Sequence, residues 1–243
     1  MRGLRRILNY FNRYDQEGFS ADREILRNLK NLSSLGLEVI HAVDVGAHTG
    51  TWTRNLLEVF PDSQVLLVEP QTEICKQSVL DASNDKLVWV NCGAGPREEI
   101  REFKVHDRSD SSSFALHDDI EFKNITPVKV RRIDNLVSET WGPDACPQIV
   151  KLDCEGWDLE VLEGIGNLLS QVEFIFLEAG LTNRYFANNV GLVITELEER
   201  GFRLFDIATA AINPSTGFTW NSELAFVNGN LSKYQSIFKW GDQ

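Results

Sequence analysis

The stretch that most constrains this chain is HAVDVGAHTGTW, His41 to Trp52. Small and β-branched residues (Ala42, Val43, Val45) carry Asp44, the run breaks at Gly46 and Gly50, and a helical pattern begins at Thr53. Glycine lets the backbone take turns that other residues resist and lets a ligand approach the main chain. The first amides of the following helix have no partners within the helix and point into the same space. The segment is thus the strand, turn and helix start of a nucleotide-type pocket.

Beyond it, strand-like and helix-like segments alternate, the pattern of parallel βαβ units. Strands are expected at 42–45, 65–69, 87–91, 149–153, 174–178, 203–207 and 224–227, and helices at 53–60, 72–80, 159–169 and 190–200. Between Asn91 and Ile149 no long helix is evident. There IREFKV (100–105) and VKVRRI (128–133) alternate apolar and charged residues around a polar loop, HDRSDSSSFALHDD. This reads as a small β insertion, about 98–133, whose loop either covers a pocket or is plain surface. Before the sheet, Leu4, Ile7, Leu8 and Phe11 have helical spacing in a basic segment. A second helix, with Ser20 as its cap, places Ile25, Leu26, Leu29 and Leu32 on one face. The expected organisation is an N-terminal helical extension, 1–38, followed by one catalytic-type domain, 39–243.

Composition narrows the function. A net charge of −12 in 243 residues disfavours nucleic acid as a partner, because phosphate contacts need clustered Lys and Arg. A small molecule is the expected ligand. Cys75, Cys92, Cys146 and Cys154 form no CxxC pair and have no His at ligand spacing, which fits reduced thiols in a cytoplasmic protein and no structural zinc. The sequence contains neither a signal-peptide core nor a run long enough to span a membrane.

Glu69 ends the second expected strand about 20 residues after the turn, where an acid accepts hydrogen bonds from ribose hydroxyls. The turn itself reads D-x-G-x-x-x-G, without the middle glycine of a dinucleotide fingerprint. A carboxylate immediately before the turn suits an ammonium better than a pyrophosphate. S-adenosylmethionine offers an ammonium and a sulfonium and no phosphate, so it is the expected cofactor. A second block, IVKLDCEGWDLEVLEGI, ends a strand at Asp153, turns at Gly156 and opens a helix at Asp158. In an open α/β sheet the ligand crevice lies beyond the carboxyl ends of the strands, so Asp44, Glu69, Asp153 and Glu178 are expected at one edge. The competing reading makes Asp153 or Asp158 a helix cap and Glu155 a solvated charge.

Taken together, VDVGAHTGTWT, LLVEP, NCGAG, VRRIDNLV, KLDCEGWDLEVLEGI and FLEA resemble, in that order, the FkbM-type S-adenosylmethionine-dependent methyltransferases across roughly Ala42 to Val227. The resemblance implies an α/β, Rossmann-like class I methyltransferase sheet, mostly parallel with one antiparallel strand at 224–227 and helices on both faces. It also implies O-methylation of a hydroxyl on a sugar, glycan or secondary metabolite. Asp44, Gly46, Ala47, His48 and Gly50 would face the methionine and ribose of the cofactor, Glu69 the ribose hydroxyls, and Pro70, Cys92 and Gly93 the adenine. His48 stands where the family commonly has Asn, and GPREEIREF follows the family only loosely.

A neutral alcohol is a poor nucleophile and calls for a base or a metal. Asp153 is the expected base and Glu155 its alternative, with His106 and His117 further candidates. Asp153 and Glu178 could instead bind a divalent cation, as hard oxygen ligands do, but two carboxylates from separate strands are thin support and no metal residue is assigned. The rival functions are a non-catalytic S-adenosylmethionine-binding protein and an NAD-dependent oxidoreductase.

Overall fold

A computed structural model describes residues 21–81, 83–115, 121–182, 188–213 and 215–238. The expected helix at 4–11, the Ser20 cap and His117 lie outside them. The first described element is helix α1 (Ala21–Ser34), followed by β1 (His41–Val45), α2 (Thr51–Val59), β2 (Gln64–Val68), a single turn α3 (Thr72–Cys75) and β3 (Leu87–Val90). Strands β4 (Gly93–Ala94), β5 (Glu99–Val105) and β6 (Asn124–Arg131) come next, then α4 (Ile133–Trp141), β7 (Ile149–Leu152), α5 (Asp158–Gly164) and β8 (Phe174–Gly180). Helix α6 (Val190–Glu199) leads to β9 (Phe202–Ile212) and β10 (Thr219–Asn228).

Seven strands form one sheet in the order β3-β2-β1-β7-β8-β10-β9. The first five neighbours pair in parallel, and β10 runs antiparallel to both β8 and β9. This is the expected sheet, with its antiparallel strand longer at both ends than 224–227. Side-chain alternation builds the two cores. Val43, Val45, Leu66, Val68, Val150, Leu152, Ile175 and Leu177 enter one cluster with Ile133, Leu136 and Val137 of α4, Val161 of α5 and Leu197 of α6. Their neighbours Ala42, Val65, Leu67, Ile149, Phe174 and Phe176 enter the other, with Leu29 of α1 and Trp52 and Leu56 of α2. A strand covered on both faces reads as a continuous apolar run, as β2 and β8 do.

The same period of two fixes which polar side chains share a face. Asp44 is the register partner of Lys151, and Glu178 that of Glu223. Each is an even number of residues from Ala42, Ile149, Phe176 or Ala225, so all four project toward the face covered by α1 and α2.

Strands β4, β6 and β5 form the small second sheet expected around the polar loop. Two readings are corrected. The alternation VKVRRI does not continue through Ile133, which instead opens the nine-residue helix α4 and buries Ile133, Leu136 and Val137. The helix expected at 72–80 stops after one turn: the Val79 amide donates to the Thr49 carbonyl and that of Leu80 to Ser78 Oγ, which turns the chain back toward Gly50.

Candidate active site

Strand order reverses between β1 and β7, and at the carboxyl ends of these strands lies a cleft of about 280 Å³. One wall is the glycine turn. Gly46, at φ +71°, lies so close to the next strand that a Cβ would stand 1.9 Å from the Asp153 carbonyl oxygen. His48 also adopts a left-handed backbone, φ +48°, a region that Asn and His tolerate better than most residues. Its amide donates to Glu69 Oε2 (2.9 Å), and the Gln71 amide donates to Oε1 (2.9 Å). Burial raises the Glu69 pKa, while the amides of Gln71 and His48 pull it down. Each oxygen thus takes one backbone donor and keeps acceptor capacity toward the cleft. Helix α2 opens directly behind the turn at Gly50, with no side-chain cap on its first amides.

Asp44 and Gly50 do not line the cleft. Asp44 is fully buried beneath it, accepts a 2.7 Å hydrogen bond from Thr53 Oγ1 and stands 3.5 Å from Lys151 Nζ. Where sequence spacing assigned this carboxylate to a ligand ammonium, the fold gives it the ammonium of Lys151. Gly50 packs against Leu80, 2.5 Å from where its Cβ would be, and starts the helix rather than touching the cavity.

Lys151 is the residue that sequence reasoning passed over. It is 5% exposed, and its ammonium reaches Asp153 Oδ2 (3.0 Å), the Gly46 carbonyl (3.2 Å) and Asp44 Oδ1 (3.5 Å). Burial disfavours its charge, but Asp153, Asp44 and Glu223 outweigh that and hold its pKa above the usual lysine value. A lysine inside the apolar run IVKL was the available signal, since lysine is almost never buried unpaired.

The other wall is the D-x-E-G turn. Asp153, Glu155 and Glu178 line the cleft together, and Glu223 joins them from β10. Glu155 has φ +50°, and burial followed by the Asp153 charge pushes its carboxyl well above the ordinary range. Glu178 accepts from Asn221 Nδ2 (2.5 Å) and is pushed up to about 8 by burial and then by Asp153 and Glu223. Glu223 is likewise near 8, chiefly through burial. Asp158 braces the turn from below by accepting the Cys154 and Gly156 amides at 2.9 and 3.1 Å, with its own carboxyl raised to about 7 by burial.

The far end of the cleft is apolar, formed by Phe103, Phe114 and Trp157 with Cys92 and Gly93, and Pro70 lies at its edge. Phe114 fits only because residue 93 is glycine; a Cβ there would lie 2.5 Å from its ring. Trp157 is anchored through Nε1 to the Ala94 carbonyl (2.9 Å). The polar insertion loop closes this end. Ser113 Oγ lies 2.8 Å from the Glu155 carbonyl and 3.1 Å from that of Cys154, while Asp110 and Ser112 face the cavity. His106 does not line it, and its Nδ1 accepts the Arg108 amide at 3.1 Å. All four cysteines are free thiols, and among the described residues no helix is long and apolar enough to cross a membrane.

The shape suits an elongated ligand with an aromatic end, a hydroxylated middle and a charged end. A family model described as the methyltransferase FkbM domain matches residues 44–204. The structure is similar to magnesium protoporphyrin IX methyltransferase from Synechocystis PCC 6803 with bound SAM. Their TM-score is 0.50 at 11% identity, over 85% of this chain and 77% of that one. It is also similar to a 1,6-didemethyltoxoflavin-N1-methyltransferase from Burkholderia thailandensis. There the TM-score is 0.45 at 12% identity, over 89% of this chain and 82% of that one. At such identities the first likeness speaks of fold alone, and the second is too distant to add to it. No curated protein matches the sequence.

Proposed function

The chain belongs to the FkbM family of S-adenosylmethionine-dependent methyltransferases, and from that premise we propose that it methylates a hydroxyl oxygen of a sugar, glycan or secondary metabolite. The observation that supports oxygen as the acceptor is the acid-lined end of the cleft, where Asp153, Glu155, Glu178 and Glu223 face the space beside the glycine turn. An alcohol needs such a proton acceptor, because it must lose its proton as it takes the methyl group.

The cofactor supplies an electrophilic methyl on a sulfonium that becomes a neutral thioether on transfer. Around it this chain has a defined division of labour. Gly46, Ala47, His48 and the start of α2 hold the methionine end, where uncapped helix amides suit a carboxylate. Glu69 accepts the ribose hydroxyls. Phe103, Phe114 and Trp157, with Pro70, Cys92 and Gly93, enclose the adenine. Asp44 and Gly50 act from behind, the one by fixing Lys151 and Thr53, the other by opening the helix. Asp153 takes the acceptor proton on its carboxylate, and Lys151 orients that carboxylate from 3.0 Å. Glu155 is the alternative base. Ser113 keeps the insertion loop against the Glu155 turn and helps to exclude water.

The test is transfer from methyl-labelled S-adenosylmethionine to a panel of hydroxylated glycans and metabolites, with matched amines beside them. Label in a base-stable ether on a hydroxyl acceptor is the expected result. Label on the amines alone would overturn the oxygen reading and leave the family assignment intact.

A further inference from the structure

We propose that Asp153, Glu155 and Glu178 bind a divalent cation of the hard, oxygen-preferring kind, such as Mg²⁺ or Mn²⁺, at the acceptor end of the cleft. One carboxylate oxygen from each of the three lies within 4.8 Å of the others. A cation among them can therefore reach all three at ordinary oxygen-ligand distances after small side-chain adjustments, and water or an acceptor hydroxyl completes its shell. The three acids come from two different places, the turn after β7 and the carboxyl end of β8, so the cluster does not arise from neighbouring residues on one surface loop.

A second, independent feature points the same way. Glu223 is 6% exposed, lines the same cleft, and its Oε1 has no hydrogen-bond partner. It sits directly across from Glu178 in the β8–β10 register. Burying a carboxylate oxygen without a partner is costly, and cations in the adjoining space relieve that cost. Lys151 supplies one positive charge, but its ammonium is divided among Asp153, Asp44 and the Gly46 carbonyl. Arg108, the neighbouring guanidinium of the insertion loop, is paired with Asp110 at 3.1 Å. Glu155, Glu178 and Glu223 thus crowd together while the two cations nearby, Lys151 and Arg108, make their close ion pairs with Asp153, Asp44 and Asp110. Asn221 gives Glu178 one neutral donor.

The binding itself does not depend on what the cleft catalyses. Its use rests on the O-methyl transfer reading. A cation held here binds the acceptor hydroxyl oxygen and eases its deprotonation, the proton passing to the Asp153 oxygen that does not ligate the cation as the oxygen–methyl bond forms and the sulfur–methyl bond breaks.

Metal-stripped full-length protein, without donor or acceptor, should bind one equivalent of Mn²⁺ by calorimetry and by loss of the free-ion paramagnetic resonance signal, with Mg²⁺ competing. Glu155→Gln and Glu178→Gln should each weaken Mn²⁺ at least tenfold, while Asp62→Asn, at an exposed carboxylate on the far side, should not change it. Melting curves and S-adenosylmethionine affinity within threefold of wild type establish that the variants are folded. No saturable Mn²⁺ binding at millimolar concentration, or binding that both glutamine variants retain, overturns the site. An ammonium-bearing acceptor would then be the better occupant of the acids. If Mn²⁺ binds as expected but S-adenosylmethionine does not, the cation site stands and the methyl-transfer reading fails.

Discussion

Lys151 and Asp44 are register partners on adjacent parallel strands, and their side chains meet 3.5 Å apart with 5% and 0% of the two residues exposed. Removing one member of a buried ion pair leaves the other charge in a medium that cannot solvate it, at a cost of roughly 3–5 kcal/mol. Lys151→Met should therefore destabilise the fold by about that amount in urea titration. The double variant Lys151→Met, Asp44→Asn should recover much of the loss, because it removes both charges. Additive losses in the double variant would show that the two residues are not coupled.

Asp153→Asn separates chemistry from binding. It removes the proposed proton acceptor but keeps the size of the side chain, and Lys151 retains Asp44 and the Gly46 carbonyl. Turnover should fall by roughly 100-fold or more, the usual scale of a lost general base, with S-adenosylmethionine affinity within threefold. A single-turnover rate equal to wild type would remove Asp153 from the chemistry and leave Glu155 as the base to test.

Glu69→Ala should act on the other half of the cleft. The carboxylate organises its own wall by accepting the His48 and Gln71 amides at 2.9 Å each. Its loss removes the ribose acceptor, a charged partner whose hydrogen bonds contribute about 1.5–3 kcal/mol, and releases the two half-buried amides that shape the wall. Donor affinity should drop by about 10- to 100-fold in calorimetry. An unchanged affinity would place the ribose elsewhere.

The glycine turn, the succession of strands and helices along the chain and the edge at which the acids gather were legible in the sequence because each depends on local rules. Gly46 and Gly50 mark positive φ, β-strands alternate with a period of two, and the ligand edge follows from parallel topology. What escaped depended on tertiary partners. Helix α4 carries Ile133, Leu136 and Val137 at helical spacing, but Ile133 follows the apolar and charged run of β6 after only two arginines, and only packing on the sheet decides where strand yields to helix. Lengths of β9 and β10 depend on their pairing with each other, which carries Ala208, Thr209 and Ala211 beyond the expected strand end. Asp44 was legible as important but not as buried, because its partner is 107 positions away. Glu223 reads as an ordinary solvent-facing acid in SELAFV until the antiparallel register sets it across from Glu178.

Tyr234 gives the fold a response to alkaline pH that lies away from the cleft. Its ring is buried against Phe174, at 4.7 Å between centroids, and its hydroxyl donates to a Glu173 carboxylate that Lys233 also pairs at 2.8 Å. Burial first, and then the bond and charge of Glu173, raise the phenol pKa above its ordinary value of about 10. The unfolded chain therefore releases this proton more readily than the folded one. The stabilisation is complete below pH of about 10, where both states hold the proton, and is lost as pH rises through the folded pKa above it. Tyr234→Phe should cost about 1 kcal/mol at neutral pH, and its melting temperature should fall less steeply than that of wild type above about pH 10. Parallel melting curves through that range, with a constant gap between the two proteins, would show that the phenol proton does not contribute to stability.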